Sequence, residues 1–114
     1  MVDTDLAGFD RDVLQASVHG PVLVDFWAEW CAPCLVIAPV LQRVIEELDG
    51  AVALVKLEVD VGDNMKLAGR YHVRGFPTVI LFQDGREISR FSGARSYSQI
   101  IAFLEEHLGL PDIT

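Results

Sequence analysis

The sequence predicts an α/β fold in which helices cover both faces of a mixed β-sheet. Three observations lead there. Two short, β-rich apolar runs, "VLVDFWA" and "AVALVKLEVD", flank a longer segment of helical periodicity, and a strand–helix–strand succession implies a parallel pair joined by a crossover. Further on, "PTVILFQDGREISRFSG" sets an Asp84-Gly85 turn between two apolar runs, the signature of a hairpin that adds antiparallel strands. A final amphipathic segment supplies one more covering helix.

In chain order, Phe9, Val13, Leu14 and the residues from Ala16 to Val18 recur at helical intervals until "HGP" at His19 to Pro21 ends the run. Val22 to Ala28 is apolar on both faces except at Asp25, as expected of a central strand buried on both sides. From Cys31 through Asp49 the pattern turns helical: Leu35, Ala38, Leu41, Ile45 and Leu48 form an apolar stripe opposite Gln42, Arg43, Glu46 and Glu47. Pro39 is expected to kink this helix, since it has no N–H to donate and its ring crowds the preceding turn. Ala51 to Asp60 reads as the next strand, and Asn64 to Val73 as a short helix capped by Asp63 or Asn64. After the hairpin, the closing helix runs from a serine cap at Ser96 to Leu108, with Gly109 and Pro111 as stop signals. A short tail, 109–114, is expected to be mobile.

At 114 residues, with no repeat, linker or low-complexity stretch, the chain is expected to form a single domain, 1–114, with its core at about 9–108. The formal charge is −8, and nine Lys and Arg are scattered singly. Such a chain offers no basic face for nucleic acid. The first twenty residues mix acidic and apolar positions without the basic and continuous apolar regions of a secretion signal. The apolar runs fall short of the roughly 18 to 20 residues that span a bilayer. The expectation is a soluble, cytoplasmic, monomeric protein, in a compartment that keeps thiols reduced.

In that setting a close cysteine pair points to chemistry. Cys31 and Cys34, separated by Ala32 and Pro33, are the only cysteines, and a bond between them would close too short a loop to constrain the unfolded chain much. Cys31 lies just past the carboxyl end of a predicted central strand and at the first turn of a helix, where open α/β sheets place active groups. The free N–H groups and positive dipole end there favour thiolate, lowering a cysteine pKa from about 8.5. Cys31 is therefore the expected nucleophile of thiol–disulfide exchange. Cys34 lies one turn deeper on the same side and is the expected resolving thiol, able to close a ring with Cys31. Pro33 suits the first helical turn, where its missing N–H costs nothing, and it stiffens the ring. The alternatives are a metal site and inert buried thiols. Structural zinc needs four ligands, and His19, His72 and His107 form no matching group. Covalent haem attachment needs a histidine where Leu35 stands. No metal and no cofactor is expected.

The segments "VDFWAEWCAPC", "IAP", "VKLEVD", "GFPT" and "FSGA" follow one another in an order and spacing that resemble the thioredoxin family, over nearly the whole chain from about Phe9 to Leu108. The resemblance implies a central mixed sheet of five strands flanked by four helices. It implies a protein disulfide reductase, a thiol–disulfide oxidoreductase that acts on disulfide-containing proteins and is recharged by a thioredoxin reductase or an equivalent donor. It also implies that Asp25, buried beneath the cysteine pair at a cost that raises its pKa, helps deprotonate Cys34. Lys56 would be its nearby cation; the alternative is a solvated strand lysine. Pro77 resembles the family's cis-proline, leaving the Phe76 backbone to pair with an extended substrate. Phe76, Pro77, Trp30, Ala32, Gly93 and Ala94 would form a flat apolar docking face around Cys31. Phe26 and Trp27 are expected to pack in the core.

Two positions depart from the family pattern. Ala32 stands where glycine is commonest, and the residues between the cysteines influence the reduction potential. Leu35 replaces a common lysine, removing a charge from the site rim and adding apolar surface. Two other readings stay open: a redox-inactive binding or chaperone-like module, and an oxidase or isomerase with a potential well above roughly −270 mV.

Overall fold

Residues 1–109 are described by the computed structural model. Five strands, β1 (Val2–Thr4), β2 (Val22–Trp27), β3 (Ala53–Glu58), β4 (Thr78–Gln83) and β5 (Arg86–Ser92), form one sheet in the spatial order β1-β3-β2-β4-β5. β1 and β2 flank β3 in parallel, while β4 runs antiparallel to β2 and β5 to β4. Residues 10–18, α1 (Ala32–Glu47), α2 (Met65–Arg70) and α3 (Tyr97–Leu108) are the helical segments. The mixed α/β sheet expected from the sequence is the sheet observed. The expectation of a mobile tail at 109–114 lies, Gly109 apart, outside the described residues.

Strand alternation sorts the apolar side chains into two cores. Val24 and Phe26 of β2 join Ile80 and Phe82 of β4 beneath Phe9, Val13, Leu67 and Ala68. Leu23, Val79 and Leu81 face Ile37, Leu41 and Val44 of α1 and Ile100 and Leu104 of α3. With a helical layer on each side, β2 is buried along its length except at Trp27. Asp25 lies in the middle of that strand and has no exposed surface.

The hairpin turn forms as expected. Asp84 and Gly85 both take positive φ, 55° and 80°, the requirement of a tight turn matched to strand twist. Its backbone is anchored from across the fold: Gly85 N–H donates to Ser17 Oγ at 2.8 Å and Asp84 N–H to the Ser17 carbonyl at 2.9 Å. α3 begins in a complete capping box, in which Ser96 Oγ accepts from Gln99 N–H and the Gln99 side chain accepts from Ser96 N–H. It ends on Gly109 at φ 60°, a left-handed cap that glycine takes without strain. Ser96→Ala removes half of the box and is expected to lower stability by about 1 kcal/mol, read as a lower urea midpoint at unchanged slope.

Four features differ from the sequence expectations. The sheet begins at Val2, ahead of the expected core boundary at Phe9, because β1 pairs Val2, Asp3 and Thr4 with Val55, Lys56 and Leu57. The segment expected as one helix from Phe9 to Val18 is a π-type turn, Asp10–Gln15, followed by a 3-10 turn, Ala16–Val18; it buries Ser17 and leaves Val18 exposed. The stripe of α1 is rotated: Cys34, Ile37, Leu41 and Val44 face inward and Leu35 outward. "LVIAPVL" is apolar around most of the helix, so periodicity alone leaves its phase open. Pro39 lies inside α1, which is a single helical segment from Ala32 to Glu47. Finally, neither Asp63 nor Asn64 caps α2 through its side chain. The buried Asn64 amide accepts from Leu6 N–H and donates to the Glu58 carbonyl, each at 2.9 Å, tying the chain's first residues to the end of β3.

Candidate active site

β2 ends at Trp27, and the turn "AEW" delivers the chain to Cys31 at the N-cap of α1, with Ala32 and Pro33 in the first turn. Cys31 and Cys34 are joined in a disulfide, their Cα atoms 5.3 Å apart. Cys31 Sγ also accepts a hydrogen bond from the Cys34 backbone N–H at 3.2 Å. This sulfur therefore lies at the position where a helix start offers unsatisfied donors and positive potential, the environment that stabilises a thiolate. Cys31 retains 4% of its surface and Cys34 1%, an asymmetry in the expected direction, although both sulfurs are largely covered in the oxidised form.

Asp25 occupies β2 directly opposite Lys56 of β3. The Lys56 ammonium is 3.9 Å from Asp25 Oδ2 and sits over the Trp27 ring, 4.7 Å from its centroid. Lys56 is thus a mostly covered cation beside the buried carboxylate, and the solvated alternative does not hold. Among the described residues neither Asp25 oxygen has a hydrogen-bond donor. Burial pushes the Asp25 carboxyl up to about 6, while the Lys56 ammonium pulls it down. Desolvation prevails because one cation at 3.9 Å does not replace the hydration of a carboxylate. Lys56 reaches the surface in a cleft of about 450 Å³ that it shares with Asp3, Asp12, Trp27 and Glu58. Phe26 packs in the core as expected, whereas Trp27 also serves as the platform for Lys56.

The expected docking residues come partly together. Trp30 is 67% exposed, and its ring meets Phe76 edge to face, centroids 5.8 Å apart. The Phe76-Pro77 peptide bond is cis. Gly93, at φ 83°, donates its N–H to the Pro77 carbonyl at 2.8 Å, which fixes the "FSGA" turn beside the "GFPT" turn. Ala32, Pro33 and Ala94 are exposed, but Pro77 is buried, so it supports the face more than it contributes to it. Leu35, 55% exposed, presents the apolar surface expected at the rim. Sequence reasoning missed Asp60, which accepts a hydrogen bond from the Trp30 indole at 2.5 Å; the sequence marks it only as the last residue of the strand Ala51 to Asp60.

A disulfide closed across the first turn of a helix that follows a central strand carrying a buried carboxylate defines a thiol–disulfide oxidoreductase. The chain matches the family described as Thioredoxin over residues 1–106. It is 45% identical to a thioredoxin of Pseudomonas aeruginosa, over 95% of this chain and 96% of that protein. It is 42% identical to thioredoxin C-2 of Corynebacterium nephridii over the same shares, and 37% identical to thioredoxin 1 of Synechococcus elongatus over 90% and 92%. The chain belongs to the thioredoxin family. Among the described residues, no helix is long and apolar enough to cross a membrane.

Proposed function

We propose that this protein reduces disulfide bonds in other proteins by two successive exchanges at Cys31 and Cys34. In the first, the Cys31 thiolate attacks one sulfur of the substrate disulfide. A Cys31–substrate bond forms, the substrate's own bond breaks, and one substrate sulfur leaves as thiolate. In the second, Cys34 loses its proton to the Asp25 carboxylate and attacks Cys31 Sγ. The second substrate sulfur is released, two electrons have passed to the substrate, and the pair is left oxidised. An external dithiol donor, a thioredoxin reductase or its equivalent, returns the electrons. The sulfur pair itself carries them, with no bound cofactor. A carboxyl with a pKa of about 6 is mostly ionised near neutrality and close enough in affinity to exchange a proton with a thiol. We further place the protein in the cytoplasm as a monomer, in keeping with its membership of the thioredoxin family.

The observation that carries this reading is the Cys31–Cys34 disulfide at the start of α1, with the Cys34 N–H directed at Cys31 Sγ. Reduction of insulin by dithiothreitol tests it. Catalytic amounts of the protein are expected to accelerate insulin precipitation, and the double variant Cys31→Ser/Cys34→Ser to leave it at the uncatalysed rate. Retained insulin binding together with an inactive wild-type protein would support a redox-inactive docking module instead.

A further inference from the structure

We infer that Asp60 is a positioning residue that fixes the pose of Trp30 and thereby sets the affinity of the site for protein disulfides; this rests on the disulfide-reductase reading above. Trp30 immediately precedes Cys31, and with 67% of its surface exposed its ring is not held by burial. Two contacts from separate loops hold it instead. The indole Nε1–H donates to Asp60 Oδ2 at 2.5 Å, and the ring stands edge-on to Phe76 at 86°. Asp60 lies two residues past β3 and Phe76 two residues before β4, so Trp30 is clamped where these loops approach the cysteine turn.

The Asp60 contact is the directional one. An N–H donated to an ionised carboxylate is about twice as strong as a neutral pair, whereas an aromatic edge contact allows the ring to slide. The carboxylate is presented from a braced backbone, with Val59 N–H bonded to the Trp27 carbonyl at 2.9 Å and Val61 N–H to the Glu58 carbonyl at 3.3 Å. Among the described residues Asp60 forms no ion pair, and the Trp30 indole is its one side-chain partner. No hydrogen bond joins it to either sulfur, so its influence on the reaction passes through the ring.

A rigid aromatic wall beside the attacking sulfur matters to a partner that lies across it. An extended segment of a protein substrate packs on Trp30, Phe76 and the exposed Leu35, and a ring already in place loses no rotamer freedom on docking. A small disulfide reaches the sulfur without using the wall. Asp60 therefore affects large substrates and leaves small ones alone.

The test compares Asp60→Ala and Asp60→Asn with the wild-type protein on insulin and on hydroxyethyl disulfide. Asparagine keeps a carbonyl acceptor for the indole but not the charge. Asp60→Ala is expected to raise KM for insulin about three- to tenfold, the consequence of one lost bond and one unfixed side chain. Its kcat and its rate on hydroxyethyl disulfide stay at wild-type values, and the Trp30 indole N–H resonance, assigned with a Trp27→Phe reference, shifts. Asp60→Asn is expected to keep KM within about twofold. An unchanged insulin KM in Asp60→Ala, equal losses on both substrates, or an asparagine variant as impaired as the alanine one would each overturn the inference. A wild-type protein inactive on insulin would instead overturn the reductase reading itself.

Discussion

Asp25→Asn is expected to stabilise the oxidised protein by about 3 kcal/mol at pH 7.5 and to leave its stability nearly unchanged at about pH 3. The Asp25 carboxyl moves from 3.8 in an ordinary setting to about 6 in the fold. Between those values the folded chain binds more protons than the unfolded one, so the stability of the wild-type protein falls as pH rises through the window. Below about pH 3 the carboxyl is protonated in both states and contributes almost no difference. Above about pH 6 the full penalty applies, and two pKa units correspond to about 3 kcal/mol. Asparagine is neutral throughout and escapes it. Urea unfolding of both proteins at the two pH values checks the sign and the size. The same substitution removes the proposed proton acceptor of Cys34. Release of substrate from the mixed disulfide is expected to slow on the order of 100-fold at pH 7, with the deficit shrinking as pH nears the ordinary thiol pKa of about 8.5. A buried carboxylate kept at this cost in stability is the pattern of a functional group in conflict with the core around it.

The two cysteine variants are expected to fail differently. Cys31→Ser removes the attacking sulfur, and insulin reduction drops to the uncatalysed baseline. Cys34→Ser leaves attack intact but has no second thiol to resolve the intermediate, so mixed disulfides accumulate and turnover stops. Mass spectrometry after incubation with oxidised insulin should show the added chain on Cys34→Ser and nothing on Cys31→Ser. Full activity in either variant would remove the assigned roles. The separation follows from position: Cys31 is the N-cap, while Cys34 is a turn deeper and more completely buried.

Local signals carried much of this fold and site. The Asp84-Gly85 turn, the Ser96 cap and the CxxC pair at a strand–helix junction each depend on a few neighbouring residues, and each is found where the sequence placed it. The features that escaped are set by distant partners. β1 is three residues long and is a strand only because β3 accepts it at its edge. Asn64 has the residue type of a cap, yet its amide is satisfied by Leu6 and Glu58. The phase of α1 was hidden by an apolar run that leaves its inward face to be decided by the sheet and α3. The exposure of Trp30 was expected, but its partner Asp60, thirty positions away along the chain, was not.

The most direct measurement is the rate of alkylation of the fully reduced protein by iodoacetamide between pH 5 and 9, with the modified cysteine identified by mass spectrometry. Cys31 is expected to react alone, faster than a free thiol at neutral pH, with a midpoint below about 8.5, while Cys34 stays unmodified until the protein is unfolded. Equal modification of both cysteines at the rate and midpoint of an ordinary thiol would contradict a helix-start thiolate backed by a protected partner.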